Sequence, residues 1–353
     1  MIEDLRSLVE VESPSLNLDA LAASAKAVAA VIERRLGGQA VLVQSDAGTH
    51  VRWSGGGEPA VLILGHHDTV FPLGTLERRP FTVDGERATG PGVFDMLGGL
   101  VQAIHGLAVL DDRSGVEILV TADEEVGSFA SRALIEERAL ACGAVLVVEG
   151  AADGGGLKTE RKGCGTFEIS IAGRASHAGL EPEAGINALV EAAHQVLEIA
   201  ALNRPEAGTT VTPTVATAGT ASNVVPAAAT IAVDVRVTSA AEKERVESAF
   251  AALEPRLDGA VITVSGGIGR PPMPEAAASE LFALAQRLLP GIEGRKVGGA
   301  SDGNLTGALG VPTLDGLGAV GGGAHADHEY LLVELMTERA RLITGLVEAI
   351  RSR

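Results

Sequence analysis

Two rhythms of apolar and polar positions run along these 353 residues, and the change between them divides the chain. Segments 2–12 and 18–36 repeat apolar positions at helical spacing, the second Ala-rich and closed by Gly37-Gly38. Short strands are predicted near 40–44 and 50–53. In Ala60-Val-Leu-Ile-Leu-Gly-His-His-Asp-Thr-Val70 the apolar run has no polar interruption, which predicts a strand over 60–65 buried on both faces of a parallel sheet. A Pro- and Gly-rich loop over 70–95 follows, long enough to suggest a functional role. Then come a helix over 97–110, a strand over 116–122, a helix over 128–140 and a strand over 144–149. Alternating strands and helices imply an α/β fold, a mainly parallel sheet flanked by helices. The pattern changes at Thr166-Phe-Glu-Ile-Ser-Ile-Ala172, whose period of two suits a half-exposed antiparallel strand. A helix near 185–201, strands near 209–218 and 229–237, a helix over 240–256 and a strand over 260–265 complete an α+β unit of domain size. After Arg270-Pro-Pro-Met-Pro274 the first rhythm resumes: helix 275–289, Gly-rich 298–303, strand 311–314, Gly-rich 316–323, helix 332–351. The expected organisation is a discontinuous domain of 1–164 and 271–353 interrupted by an insert of 165–270. No internal repeat is visible.

Composition narrows the function. Hydrophobic residues make up 46% and charged residues 21%, enough apolar material for a sizeable core. Asp and Glu exceed Lys and Arg by 46 to 28, a net charge of −18. Such a surface repels nucleic acid and anionic lipid, so neither is expected as a partner, and bound cations would neutralise part of the excess. The two cysteines, Cys142 and Cys164, have no metal-ligand spacing and read as reduced thiols. The first residues form an acidic amphipathic helix start rather than a signal peptide, and no apolar segment reaches membrane-spanning length. A cytoplasmic protein is expected.

The candidate chemistry lies at predicted strand ends, where ligands of open α/β sheets gather. His66 and Asp68 are two apart and so face one side of an extended chain, as a metal ligand and its orienting carboxylate do. Asp95 sits in Gly90-Pro-Gly-Val-Phe-Asp-Met-Leu-Gly-Gly99, a turn without the preceding strand or the downstream Lys-Ser/Thr of a phosphate loop. Asp123-Glu124-Glu125 closes strand 116–122, Glu149 closes 144–149, and His325 follows a strand and a Gly-rich turn. Each alone reads as a structural feature: a satisfied strand-end histidine, a solvated acidic turn. Together they bring His66, Asp95, Glu124, Glu125, Glu149 and His325 to one sheet edge. Two imidazoles and several carboxylates without thiolates suit Zn²⁺, with Co²⁺ or Mn²⁺ as neighbours. The donors suffice for two ions sharing a carboxylate at ~3.5–4 Å, leaving one carboxylate to act as general base on a water acidified to about pKa 7.

At this point the chain resembles the two-zinc exopeptidase and deacylase family of glutamate carboxypeptidase (carboxypeptidase G type), acetylornithine deacetylase and succinyl-diaminopimelate desuccinylase. Gly-His66-His-Asp68-Thr-Val, Gly-Pro-Gly-Val-Phe-Asp95, Asp-Glu124-Glu125-x-Gly and Glu149 are similar to its ordered motifs. Gly-Arg-Ala-Ser-His177-Ala-Gly, Asn223-Val-Val-Pro-Ala, Gly-Gly-Ala-Ser-Asp302-Gly and His325 continue the match over nearly the whole chain. The resemblance implies that Asp95 bridges two ions ahead of a cis peptide, with His66 and Glu149 completing one site and Glu125 and His325 the other. It implies Glu124 as general base, Asp68 as partner of His66, and an inserted lid and dimerisation domain. From that domain His177 would reach a neighbouring active site and stabilise the oxyanion, while Asn223 and Arg270 would hold the substrate near its carboxylate. His177 read blandly sits in a turn after Ser176 and caps a helix, and Arg270 before Pro271-Pro272 is a hinge residue. His67 and His328 gain nothing from adjacency to ligands, and His50, His105 and His194 read as ordinary histidines. One departure is Leu97, where the family often has a polar residue.

The reading that results is a metal-dependent amidohydrolase, a homodimer acting on a small-molecule N-acyl amino acid or short peptide and releasing its C-terminal amino acid. A water bridging the metals would attack as Glu124 takes its proton, and Gly173 and Gly269 are candidate hinges for lid closure. The alternatives are a deacylase of the acetylornithine or succinyl-diaminopimelate type and a non-catalytic metal-binding homologue.

Overall fold

The strand Val61–His66 is buried at all six positions, and the reason is visible in where its side chains go. Val61 and Ile63 join one hydrophobic cluster with Leu100, Ile104 and Leu107 of helix Gly98–Ala108 and with Ile343 and Leu346 of helix Met336–Arg351. Leu62 and Leu64 face the other way, onto Ile135 and Ala139 of helix Arg132–Cys142. A strand covered on both faces needs apolar residues at every position, hence the unbroken run. Each such side chain contributes roughly 1.5–3 kcal/mol on burial.

The computed structural model describes residues 1–352, which fall into two compact units. The first comprises Met1–Arg161, Met273–Val297 and the chain from Ser301 onward. Its six-stranded sheet runs in the order Val41–Ser45, Gly48–Ser54, Val116–Thr121, Val61–His66, Val145–Val147, Thr313–Leu314. The last three pairings are parallel and the first two antiparallel. His66 pairs with Thr121 and Leu64 with Val147, so the chain leaves three neighbouring strands at one edge. Among the described residues no helix is long and apolar enough to cross a membrane.

Several local expectations change. The loop expected over 70–95 contains a helix, Thr75–Arg78, and a hairpin, Thr82–Asp84 with Arg87–Thr89. That hairpin is extended by Tyr330–Leu332, more than two hundred residues later, a partner no local pattern announces. The helix expected from 128 begins at Arg132, because Asp123 accepts hydrogen bonds from the amides of Ala130 (2.8 Å) and Ser131 (3.2 Å) and holds the preceding turn. Strand 311–314 shrinks to Thr313–Leu314, and a parallel pair, Leu157–Arg161 with Gly294–Val297, was absent from the periodicity.

The second unit comprises Lys162–Pro272 and Gly298–Ala300. Its four antiparallel strands run Thr210–Ala218, Ala228–Val237, Gly163–Ala172, Val261–Arg270. Phe167, Ile169, Ile231, Val233 and Phe250 form its core, with the Phe167 and Phe250 rings stacked at 3.9 Å. Helices Ala188–Ala200 and Ala240–Ala251 are capped by Asn187 and Ser239, whose side chains accept from Leu189 and Val190 and from Glu242. Gly173, expected as a hinge, lies inside this unit. A Cβ there would meet the Ile186 carbonyl at 2.2 Å, so close packing explains the glycine. The chain passes between units at Arg161–Lys162 and Pro272–Met273, and again on either side of Gly298–Ala300.

Candidate metal centre

His66 leaves its strand with a buried imidazole. Gly65 precedes it because a Cβ there would come within 2.7 Å of Leu100 and 2.9 Å of Met96. The His66 Nδ1–H donates to the backbone carbonyl of Asp68 at 2.9 Å, with the Asp68 carboxylate at 3.5 Å. That bond fixes the tautomer and turns the Nε2 lone pair outward. Asp68 has a larger task than orienting His66. Its carboxylate accepts from the amides of Glu124 (3.1 Å) and Glu125 (3.2 Å) and from the Ser15 hydroxyl (2.7 Å), so it locks the acidic turn to the neighbouring strand end.

Around His66 Nε2 stand Asp95 Oδ1 at 3.3 Å and Glu149 Oε1 at 3.6 Å. The second oxygen of Asp95 lies 3.3 Å from His325 Nε2, which is 3.0 Å from Glu125 Oε2. Asp95 thus faces one imidazole with each oxygen, and the Asp95–Met96 peptide is cis. Donor atoms of His66, Glu124 and Glu149, and likewise of His66, Asp95 and Glu125, lie within 4.8 Å of one another.

The donor set fits divalent cations. His66 Nε2 is buried and has no hydrogen-bond partner, although two carboxylates surround it. Ligands about 2.0–2.2 Å from a tetrahedral ion are about 3.3–3.6 Å apart, matching the separations here. Electrostatics agree. Burial and the Asp95 charge push the Glu149 carboxyl up to about 7. Against the opposing effect of burial, His325 and His66 hold Asp95 well below the usual carboxylate range. Asp95 and Glu125 raise His325 to about 10. Acids and imidazoles packed this closely, with Lys158 and Arg161 as the nearby cations that offset Glu149, form a cluster that a bound cation would relieve.

Behind this cluster, Asp302 is buried and accepts from Ser128 and from Thr121 (3.1 Å), tying its Gly-rich loop to the end of strand Val116–Thr121. Leu97, the departure from the family pattern, is buried in the main hydrophobic core. His67 is a satisfied core histidine, its nitrogens on Ser24 Oγ (3.0 Å) and the Thr49 carbonyl (2.9 Å), and burial lowers it to about 4. A cavity of about 540 Å³, lined by Phe94, Ala151, Lys158, Gly322 and Ala324 among others, adjoins the segments that carry Glu149 and His325.

Sequence reasoning missed Glu329. This buried carboxylate accepts from the amides of Gly92, Phe94 and Asp95, all at 2.9 Å. A Glu next to Tyr330 carries no local signal, and only the fold brings it under the Asp95 turn.

In the second unit, His177 is exposed, and its Nδ1 accepts from the amides of Gly179 and Leu180 at 3.1 Å, which directs the Nε2–H outward. The amide of Ala178 donates to the Asn223 carbonyl at 2.9 Å, so His177 and Asn223 share one corner of that unit. Arg270 is buried at the end of strand Val261–Arg270, opposite Cys164.

Comparison with known proteins follows the same lines. A model described as a peptidase dimerisation domain matches residues 159–255. Carboxypeptidase G2 of Pseudomonas sp. (strain RS-16) is 33% identical over 377 aligned residues, spanning 98% of this chain and 89% of that protein. Aminopeptidase PepT from Bacillus cereus superposes with a TM-score of 0.78 at 21% identity over 99% of this chain and 98% of its own. A metallo-carboxypeptidase of the M20 family, Sso-CP2 from Sulfolobus solfataricus, gives 0.76 at 16% identity over 100% and 99%.

Proposed function

We propose, for a chain that belongs to the M20 metallopeptidase family and is therefore a hydrolase of peptide or amide bonds, that it releases the C-terminal amino acid of an N-acyl amino acid or short peptide. The observation that carries this reading is Asp95, which presents one oxygen to His66 and the other to His325, the arrangement a carboxylate shared by two cations requires. His66 and Glu149 would hold one ion with Asp95, and Glu125 and His325 the other. Zn²⁺ suits this nitrogen and oxygen set, with Co²⁺ or Mn²⁺ as substitutes. When bound, the ions would supply Lewis acidity and lower the pKa of a coordinated water to about 7.

The remaining steps fall to the protein. Glu124, buried beside His66 and Glu149, takes the proton of the attacking water and returns it to the leaving amine, with Asp68 holding its backbone in place. His177 donates from Nε2 to the developing oxyanion of a partner subunit's substrate. Arg270 and Asn223 bind the free carboxylate, a task suited to a guanidinium. A homodimer is supported by the dimerisation-domain match and by Leu189, Val190 and Leu197, which helix Ala188–Ala200 leaves exposed. Lys158, whose ammonium is lowered chiefly by burial, places a cation on the wall of the adjoining cavity and favours acidic substrates.

A hydrolysis panel tests the reading. N-acyl amino acids and dipeptides, with and without a free carboxylate, are incubated with metal-loaded protein, and the released amino acid is quantified. Turnover restricted to acetylornithine or succinyl-diaminopimelate would favour the biosynthetic deacylases instead, and no turnover of any amide would overturn the assignment.

A further inference from the structure

We propose that Glu329 is a positioning residue of the metal centre: its buried carboxylate clamps the turn that carries Asp95 and thereby sets the direction of the bridging acid. The inference rests on the metal-binding reading above and adds a residue that the donor set does not contain.

Glu329 is completely buried. One oxygen accepts from Gly92 N and the other from Phe94 N and Asp95 N, each at 2.9 Å. Three amides of one short turn therefore converge on one anion, a backbone concavity closed by a carboxylate from the same chain. Burying a carboxylate is costly, and among the described residues no cationic side chain pairs with this one, so the three amides are what stabilise it. What the burial achieves is an anchored turn. Because the amide of Asp95 is itself one of the donors, the backbone orientation at Asp95 follows from the clamp, and with it the aim of both carboxylate oxygens at His66 and His325.

The placement along the chain strengthens this. Glu329 lies four residues after His325, and the strand that follows, Tyr330–Leu332, pairs with Arg87–Thr89 just before the turn. One late segment thus delivers an imidazole to Asp95 and fastens the backbone beneath it.

A purely structural clamp of similar build provides the control. In the second unit Glu191 is also buried, and it accepts from the amides of Arg256 (3.0 Å) and Leu257 (2.7 Å) with no ligand-type cluster attached. Glu329→Gln and Glu191→Gln remove the same charge from the same kind of loop anchor.

The experiment titrates the full-length, metal-stripped wild type and both variants with Zn²⁺ and Co²⁺, following heat of binding, bound-metal stoichiometry and the Co²⁺ visible spectrum. Glu329→Gln is expected to weaken binding of at least one ion by about 10–100-fold and to alter the Co²⁺ bands. Glu191→Gln is expected to bind as the wild type does. Equal affinity and identical spectra for Glu329→Gln and wild type would overturn the proposal while leaving the metal reading intact. A wild type that takes up no divalent ion would overturn both. If Glu329→Gln does not fold, Glu329→Asp keeps the charge but withdraws it by one methylene. Weakened binding there supports the clamp, and unchanged binding rejects it.

Discussion

Replacing Glu149 with Gln should make the metal-free protein more stable while removing its ability to hold the first cation. Glu149 is 8% exposed, and burial together with the Asp95 charge raises its carboxyl from 4.5 to about 7. The sign follows from linkage. Below pH 4.5 the carboxyl is neutral in folded and unfolded chains, and it costs nothing. Between 4.5 and 7 the unfolded chain ionises freely and the folded one resists, so stability is lost progressively and the loss is complete above 7. At about 1.4 kcal/mol per pH unit that gap amounts to about 3 kcal/mol. Glutamine has the same shape and no charge, so it escapes the penalty. Chemical denaturation of chelator-treated wild type and variant should therefore give similar stabilities at pH 4.5 and a variant about 3 kcal/mol more stable at pH 8. Added Zn²⁺ at about a thousand times its Kd should reverse the order, since it then stabilises the folded wild type by about 4.1 kcal/mol, more than the penalty. A variant less stable than the metal-free wild type at pH 8 would refute the reasoning, because the Glu149 charge would then be stabilising without a cation.

Three further outcomes are expected. Glu124→Gln should lose activity by about 10²–10⁴-fold while retaining both metals, checked by initial rates beside elemental analysis. Glu124→Gln and His177→Ala, each inactive alone, should regain about half the wild-type rate in mixed dimers, where one site of the symmetric pair is whole; silence of the hybrid would show that His177 does not act across subunits. Arg270→Lys should raise KM about tenfold or more with a smaller change in kcat, because an ammonium cannot grip a carboxylate with two parallel hydrogen bonds.

The elements that carry the cluster were legible because their physics is local. A strand buried on both faces is mostly apolar, so Val61–His66, Val116–Thr121 (whose one buried acid, Glu117, is paired with Arg138 and Arg52) and Val145–Val147 announced themselves, and polar residues at their ends stood out. What stayed hidden depends on pairings between distant segments. The three-residue strands Arg87–Thr89 and Tyr330–Leu332 are too short to show a period and exist only because each finds the other. Glu329 was invisible for the same reason. Asp68 was legible as a neighbour of His66, but its grip on the amides of Glu124 and Glu125 needed the parallel register of two strands.

The late arrival of His325 and Glu329 has a consequence for biogenesis. On the proposed ligand assignment, a ribosome must pass residue 325 before the fifth metal-binding residue is available, since the other four lie between His66 and Glu149. Nascent chains that stop short of it would carry an acid-rich cradle with four of the five metal-binding residues, and uptake of a full complement of cations would mark chains that have gone past it. On the same assignment, termination ahead of residue 325 would be expected to yield an inert product rather than an unregulated peptidase.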